Sequence, residues 1–148
     1  MAPNSTYDVI IVGSGPGGYV AAVRAAQLGL TVACIEKAPR LGGVCLNVGC
    51  IPSKALLDSS EYLQLAKGQF ADHGIKTGRI SLDLAVMMAR KEKVVHDLTE
   101  NVKRLLEGHK VEIIQGTARL AAADQVTVET NSGSSKKKQH TTLSAKAI

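Results

Sequence analysis

A glycine-rich turn near the start of the chain, Gly13-Ser14-Gly15-Pro16-Gly17-Gly18, separates two segments of opposite character. Before it, residues 9–12 form an unbroken apolar run, typical of a strand buried on both faces. After it, residues 19–28 are alanine-rich with apolar positions near helical spacing, and Gly29 can cap a helix. Residues 31–36 favour a second buried strand. Together they predict a β-α-β unit with parallel strands and a right-handed crossover.

Beyond this unit the pattern predicts two helices and four strands. The helices cover residues 53–67 and residues 81–107, the second capped by Ser81. The strands cover residues 111–114, 117–121, 125–129 and 141–145. The last three predict an antiparallel β-meander over about residues 117–145, and residues 146–148 look like the start of another strand.

The size and charge of the chain limit its class. Its 148 residues, 45% of them hydrophobic, suffice for one domain, burying roughly two-thirds of the unfolded surface. No apolar run is long enough to span a membrane and no targeting segment is recognised, which predicts a cytoplasmic protein. The net charge of +5 owes three positives to Lys136, Lys137 and Lys138. That run is predicted to be a solvated loop, and neither nucleic acid nor membrane is expected as a partner.

The glycine turn also predicts a ligand. Gly13 permits a tight exit from the strand, Gly15 lets the backbone approach a pyrophosphate, and Gly18 lets helix and strand pack closely. The helix N-terminus offers free amides to that anion. Glu36, 18 residues beyond Gly18, can accept hydrogen bonds from ribose hydroxyls. A carboxylate at this position favours FAD or NAD over NADP. The fold class is therefore α/β, a Rossmann-like dinucleotide-binding domain with a central parallel sheet and an appended meander.

Two cysteines, Cys45 and Cys50, follow the second predicted strand within residues 42–54. Beside a redox cofactor they suggest electron transfer through sulfur, although the same spacing occurs in metal and iron–sulfur sites. The other cysteine and the four histidines lack ligand spacing, so no metal is expected. In a regular helix these Cα atoms would lie roughly 8 Å apart, beyond the limit of about 7 Å for a disulfide. A bond between the two sulfurs therefore requires a bent backbone.

Nearby residues bear on the reactivity of these cysteines. Asn47, Gly49 and Pro52 suit a bend in the backbone. A thiolate near the start of the following helix would be stabilised by the helix dipole and by Lys54. Cys34, within the second strand, is interpreted as a small buried hydrophobic residue.

Residues 42–54, followed by Ala55-Leu56-Leu57, resemble the redox-active signature of the pyridine-nucleotide–disulfide oxidoreductases, most closely of their dihydrolipoamide dehydrogenase branch. Residues 7–18, 28–36 and 111–118 resemble the FAD domain of that branch in order and spacing. The resemblance covers essentially all of residues 1–148, assigned here to a single FAD-binding domain. It implies FAD contacts at the positions Gly13, Ser14, Gly15, Pro16, Gly17, Gly18, Glu36, Lys37, Gly43, Val44, Cys45, Lys54, Gly116 and Ala118.

The resemblance also implies a role for each sulfur. Cys45 would be the thiol that exchanges with the lipoyl group, and Cys50 the thiol that faces the flavin, with NAD⁺ as the final acceptor. The expected partners are lipoyl domains of 2-oxo-acid dehydrogenase complexes or the glycine cleavage H protein, with a homodimer in the full-length form. The NAD motif and the His/Glu base of the family are missing, so an N-terminal fragment with incomplete turnover is expected.

Two alternatives to this interpretation remain. A glutathione- or mercuric-reductase-like enzyme usually has Val at the positions of Leu46 and Ile51, and glutathione reductase usually has Lys at that of Ser53. These differences favour the lipoamide branch. A non-catalytic nucleotide-binding module that uses its cysteines as a redox sensor is the other alternative.

Overall fold

The computed structural model describes residues 6–131 and 138–148, which belong to two compact units. The first, called here the sheet unit, comprises Met1–Gly43 and Thr99–Ile148; the second, the helical unit, comprises Val44–Leu98. The assignment of residues 1–148 to one domain stays a prediction. The predicted loop at Lys136 and Lys137 lies outside the described residues, whereas Lys138 opens a strand.

Within residues 6–131 and 138–148, the sheet unit contains six strands in a single mixed sheet. They are β1 Thr6–Val12, β2 Val32–Glu36, β3 Glu112–Gln115, β4 Thr117–Ala122, β5 Gln125–Asn131 and β6 Lys138–Ala147. Their order across the sheet is β3-β2-β1-β6-β5-β4. β1 pairs in parallel with β2 and β6, and β2 with β3, whereas β4, β5 and β6 are antiparallel neighbours. The predicted α/β class, with a parallel core and an appended meander, is confirmed.

β6 joins the two parts of this sheet. Its Ser144 is paired with Gln125 of β5 and also with Thr6 of β1. The expectation of a separate strand at residues 146–148 is wrong, because Ala147 pairs with Val9 of β1 and so extends β6. The core lies where β1, β2 and the meander meet, and its fully buried side chains include Ile10, Ile35, Val126, Val128 and Leu143.

Among the described residues, four α-helices accompany the sheet: α1 Pro16–Gln27, α2 Gly43–Asn47, α3 Cys50–Lys67 and α4 Leu84–Gly108. A short 3₁₀ helix, Gln69–His73, follows α3. The predicted cap Ser81 is wrong for α4, because the Val86 amide donates to Asp83 Oδ1 at 3.0 Å, which makes Asp83 the N-cap. In the helical unit Arg90 links α4 to α3 by donating to the Ala55 carbonyl at 2.9 Å and to Asp58 at 2.5 Å. Across the described ranges, no helix combines the length and apolarity that crossing a membrane requires.

Asp8 ties three segments of the sheet unit together. One carboxylate oxygen accepts hydrogen bonds from the Thr31 amide (2.8 Å) and hydroxyl (2.7 Å), and the other meets Lys146 Nζ at 2.7 Å. The Lys146 ammonium and the Thr31 donors hold the pKa of Asp8 well below its ordinary value of 3.8. Because the native pKa is lowered, this interaction stabilises the fold above about pH 4 and is lost as the pH falls further.

We therefore expect Asp8→Asn to flatten the acid dependence of stability. Urea unfolding midpoints of the unaltered protein should fall between pH 5 and pH 2, and those of the variant should fall less steeply, because an amide cannot take up the proton. Lys146→Gln removes the other half of the ion pair and should flatten the same region. An Asp8→Asn variant with an unchanged acid slope would contradict this assignment.

Candidate functional site

The glycine turn fixes the junction between β1 and α1. Gly13 has φ +98°, a conformation that L side chains rarely adopt. A Cβ added at Gly18 would lie 1.9 Å from the Gly13 carbonyl oxygen. The first turn of α1 therefore packs directly on the end of β1, which is the close approach that the spacing predicts for Gly18.

The N-terminus of α1 is left open by the same turn. Gly15 is the N-cap, Pro16 follows it, and among the described residues no side chain caps the helix. Added Cβ atoms at Gly15 and Gly17 would meet no protein atom within 4 Å. Free amides and the positive end of the helix dipole therefore border an empty space without side chains, which suits a pyrophosphate.

A second glycine pair packs against this turn within the sheet unit. Gly42 and Gly43 both have positive φ, +96° and +61°. A Cβ at Gly43 would approach the Gly15 Cα to 2.7 Å, and the Gly42 amide donates to the Ser14 carbonyl at 3.0 Å. The structure thus brings together Gly15 and Gly43, two of the predicted cofactor residues.

Glu36 ends β2 beside the turn and is only 6% exposed. Its Oε2 accepts hydrogen bonds from the Ser14 hydroxyl (2.6 Å) and amide (2.9 Å), and its Oε1 accepts one from the Ala38 amide at 2.9 Å. Burial raises the pKa of Glu36, but these bonds and one from the Lys37 backbone outweigh it and hold the pKa below its ordinary value. A negative carboxylate is therefore fixed at this position.

A cavity of about 320 Å³ lies at the carboxyl ends of β1 and β2. Its lining includes five residues predicted to bind the cofactor: Gly13, Glu36, Lys37, Gly116 and Ala118. Val12, Ile35 and Thr117 complete the wall; the first two had been assigned only to strands. The sequence could have indicated these three cavity residues by their position, since each directly precedes or follows a predicted cofactor residue at the end of a strand.

Gly116 contributes backbone to this cavity for a packing reason. A Cβ there would come within 2.6 Å of the Val128 side chain and 2.8 Å of the Glu129 carbonyl oxygen on β5. The Gly116 amide donates to the Glu36 carbonyl at 2.9 Å. Only glycine therefore lets the chain leave β3 beside Glu36 at this distance from β5.

The two predicted redox cysteines face each other in the helical unit. Cys45 lies in α2 and Cys50 begins α3, with the helices interrupted at Val48 and Gly49, so the segment is bent as a bond between the sulfurs requires. Both are free thiols, Cys45 half-buried and Cys50 exposed. A side-chain hydrogen bond links the two thiols, and the Cys50 amide donates to Cys45.

The pKa of the Cys45 thiol depends on Cys50 and on Lys54. The thiol–thiol hydrogen bond, burial and the Cys50 charge raise the pKa of Cys45, while the Cys50 amide and the Lys54 ammonium lower it in part. The net shift of Cys45 is upward, so sharing a proton with its neighbour dominates over Lys54. Cys34, in contrast, is fully buried in β2, and burial together with the Glu36 charge raises the pKa of its thiol to about 11.

The described residues hold no group of three or more His, Cys, Asp or Glu side chains placed to bind a metal ion. The chemistry of the donors is instead that of a nucleotide cradle in the sheet unit and a dithiol in the helical unit. Lys54 and Val44, also predicted to bind the cofactor, are exposed residues of the helical unit.

Comparison with known proteins finds relatives that are about half identical to this chain in sequence. Leghemoglobin reductase of Vigna unguiculata is 52% identical over 126 residues, 85% of this chain and 24% of the relative. The mitochondrial dihydrolipoyl dehydrogenase of Pisum sativum is 50% identical over 126 residues, again 85% of this chain and 25% of the relative. Dihydrolipoyl dehydrogenase 3 of Pseudomonas putida is 49% identical over 144 residues, 97% of this chain and 30% of the relative.

The chain spans 24% to 30% of the length of these relatives. The family model described as pyridine nucleotide-disulphide oxidoreductase matches residues 7–148. This match takes in all of the described sheet except Thr6, and it includes the dithiol segment. The chain therefore belongs to the pyridine nucleotide-disulphide oxidoreductase family.

Proposed function

We propose that this chain is the FAD-binding, dithiol-bearing part of a dihydrolipoyl dehydrogenase. The observation that carries the proposal is the facing pair Cys45 and Cys50, whose thiols share a hydrogen bond in a chain that also builds a nucleotide cradle. Sequence identities of 50% and 49% to dihydrolipoyl dehydrogenases from a plant and a bacterium support the proposal. They favour it over a glutathione- or mercuric-reductase-like enzyme.

The residues of the sheet unit fit the ADP half of FAD. The open N-terminus of α1 at Gly15 would bind the pyrophosphate, and the fixed carboxylate of Glu36 would accept the ribose hydroxyls. Gly116 and Ala118 would border the adenine in the cavity they line. The resemblance assigns Gly43, Val44, Cys45 and Lys54 to the flavin half, and that assignment is part of the proposal.

The dithiol performs exchange with the substrate. In the oxidised protein, a thiolate of dihydrolipoamide attacks the Cys45 sulfur, and Cys50 leaves as a thiolate. The second lipoyl thiol then attacks the mixed disulfide and releases Cys45, so the substrate becomes a cyclic disulfide and its two protons pass to the thiolates of Cys45 and Cys50. FAD supplies the acceptor for the electron pair held by the dithiol, and NAD⁺ is the acceptor that follows.

The partners in this proposal are lipoyl groups carried by other proteins. We propose that these carriers are lipoyl domains of 2-oxo-acid dehydrogenase complexes or the glycine cleavage H protein. A homodimer and a cytoplasmic location stay predictions; the relatives from Pisum sativum and Arabidopsis thaliana are mitochondrial.

Absorption spectroscopy of the purified protein tests the proposal. We expect flavin bands after incubation with FAD and gel filtration, and a new long-wavelength shoulder when two electrons per flavin are added. A protein that stays colourless would show that this chain does not bind FAD. A flavin spectrum without the shoulder would favour a nucleotide-binding module whose cysteines act apart from the cofactor.

A further inference from the structure

The hydroxyl of Ser14 connects three segments of the sheet unit. The side chain is fully buried. Its Oγ donates to Glu36 Oε2 at 2.6 Å and accepts a hydrogen bond from the Gly42 amide at 3.1 Å. A serine hydroxyl has one proton to donate, and here it is committed to Glu36. The glycine turn, the end of β2 and the Gly42–Gly43 turn are thus held by one group.

The backbone of Ser14 repeats both connections. Its amide donates to Glu36 Oε2 at 2.9 Å, and its carbonyl accepts from the Gly42 amide at 3.0 Å. The hydroxyl proton of Ser14 is thus directed to Glu36, and the assignment of Ser14 as a cofactor contact stays a prediction.

We propose that Ser14 is a positioning residue for ribose recognition, fixing the Glu36 carboxylate in the orientation that accepts the ribose hydroxyls of a bound adenine nucleotide. The inference rests on the proposed function, in which Glu36 binds the ribose. Both donors from Ser14 bond Oε2, whereas Oε1 accepts from the Ala38 amide. The Glu36 carboxylate forms part of the wall of the cavity, so a nucleotide bound there meets the carboxylate in the orientation that Ser14 gives it.

The physical reason is preorganisation. A glutamate side chain has three rotatable bonds, and a ligand that must order it loses affinity. The 2.6 Å bond from Ser14 is charge-assisted and short, so it holds the carboxylate before the nucleotide arrives. Without the hydroxyl, Glu36 keeps the backbone donors of Ser14, Lys37 and Ala38 but loses the shortest of its measured bonds, the one from the Ser14 hydroxyl.

Calorimetric titration of the cofactor-free protein with ADP and with 2′,3′-dideoxy-ADP tests this role. The dideoxy nucleotide lacks both hydroxyls that Glu36 would bind. For the unaltered protein we expect ADP to bind about tenfold more tightly, as typical of a hydrogen bond to a charged group. Ser14→Ala should reduce that ratio to about threefold or less while leaving the dideoxy-ADP affinity within about twofold.

A matched control and a second measurement accompany the titration. Ser60→Ala removes an exposed hydroxyl that donates within α3 to the Leu57 carbonyl at 2.8 Å, and should leave the ratio unchanged. Hydrogen exchange should show a faster Gly42 amide in Ser14→Ala, since one of its two acceptors is gone. If Ser14→Ala does not fold, Ser14→Gly removes the same hydroxyl and is titrated in its place.

The outcomes separate the two proposals. An unchanged ratio in Ser14→Ala, or an equal loss of affinity for both nucleotides, would overturn the positioning role and leave nucleotide binding intact. An unaltered protein that binds both nucleotides equally would show that Glu36 does not recognise ribose, and the role of Ser14 fails with it. An unaltered protein that binds neither overturns the proposed function itself.

Discussion

Replacing Cys50 with serine is expected to lower dihydrolipoamide-dependent turnover at least about a thousandfold while FAD binding stays within about twofold. A serine hydroxyl cannot form the disulfide with Cys45 that accepts the electron pair of the substrate, and it is a far poorer leaving group than a thiolate. The cradle at Gly15 and Glu36 contains no atom of Cys50, so the ADP half of the cofactor keeps its contacts.

Turnover is measured with NAD⁺ on the protein at its natural length, and mass spectrometry follows the thiols. The unaltered chain should lose two hydrogen atoms on mild oxidation and then resist alkylation at Cys45 and Cys50. Cys50→Ser should show neither change. Cys45→Ser should also abolish turnover, because the first attack of the substrate requires that sulfur.

Cys34→Ala is the matched control for this experiment. Cys34 is fully buried in β2, and the pKa of its thiol is raised to about 11, so it is neither accessible nor ionised at neutral pH. Its replacement should leave turnover within about twofold. Substantial activity in Cys50→Ser, or loss of the oxidisable pair in Cys34→Ala, would count against the dithiol assignment.

The β-α-β unit was predictable because its determinants are local. An apolar run, a glycine turn and an alanine-rich segment each specify a conformation over a few residues. The double pairing of β6 was not predictable in the same way. Whether Ser144 faces β5, β1 or both depends on how strands more than a hundred residues apart in sequence are ordered, and no local pattern records that.

In the candidate site, too, features with local determinants could be predicted, whereas features that depend on distant segments could not. Spacing alone predicts that Gly13, Gly18 and Glu36 lie near one another, because a strand, a turn and a helix fix their separation. The role of the Ser14 hydroxyl depends on the Gly42 amide arriving beside it from a different segment. Val12 likewise becomes part of a cavity wall only once β2 and Gly116 lie beside it.

Substitutions in the glycine turn are the second change with a large expected effect. One of them should lower the stability of the protein, and another should lower its affinity for FAD. Gly18→Ala should destabilise the protein by about 3 kcal/mol or more, because its Cβ would lie 1.9 Å from the Gly13 carbonyl oxygen and neither backbone can retreat without breaking the packing of α1 on β1. Gly15→Ala should leave stability within about 0.5 kcal/mol, since its φ of −63° suits alanine and its Cβ meets no protein atom.

Among the folded variants, we expect the order of FAD affinity to differ from the order of stability. The Gly15 Cβ would occupy the space proposed for the pyrophosphate, so we expect Gly15→Ala to weaken FAD binding at least about tenfold. Gly108→Ala is the control: its Cβ too would meet no protein atom, Gly108 is not among the predicted cofactor residues, and alanine at this end of α4 should raise stability by up to about 1 kcal/mol. Urea unfolding and FAD titration of the three variants check both orders. A Gly15→Ala protein that binds FAD normally would place the pyrophosphate elsewhere, whereas a stable Gly18→Ala protein would mean that α1 can move away from β1.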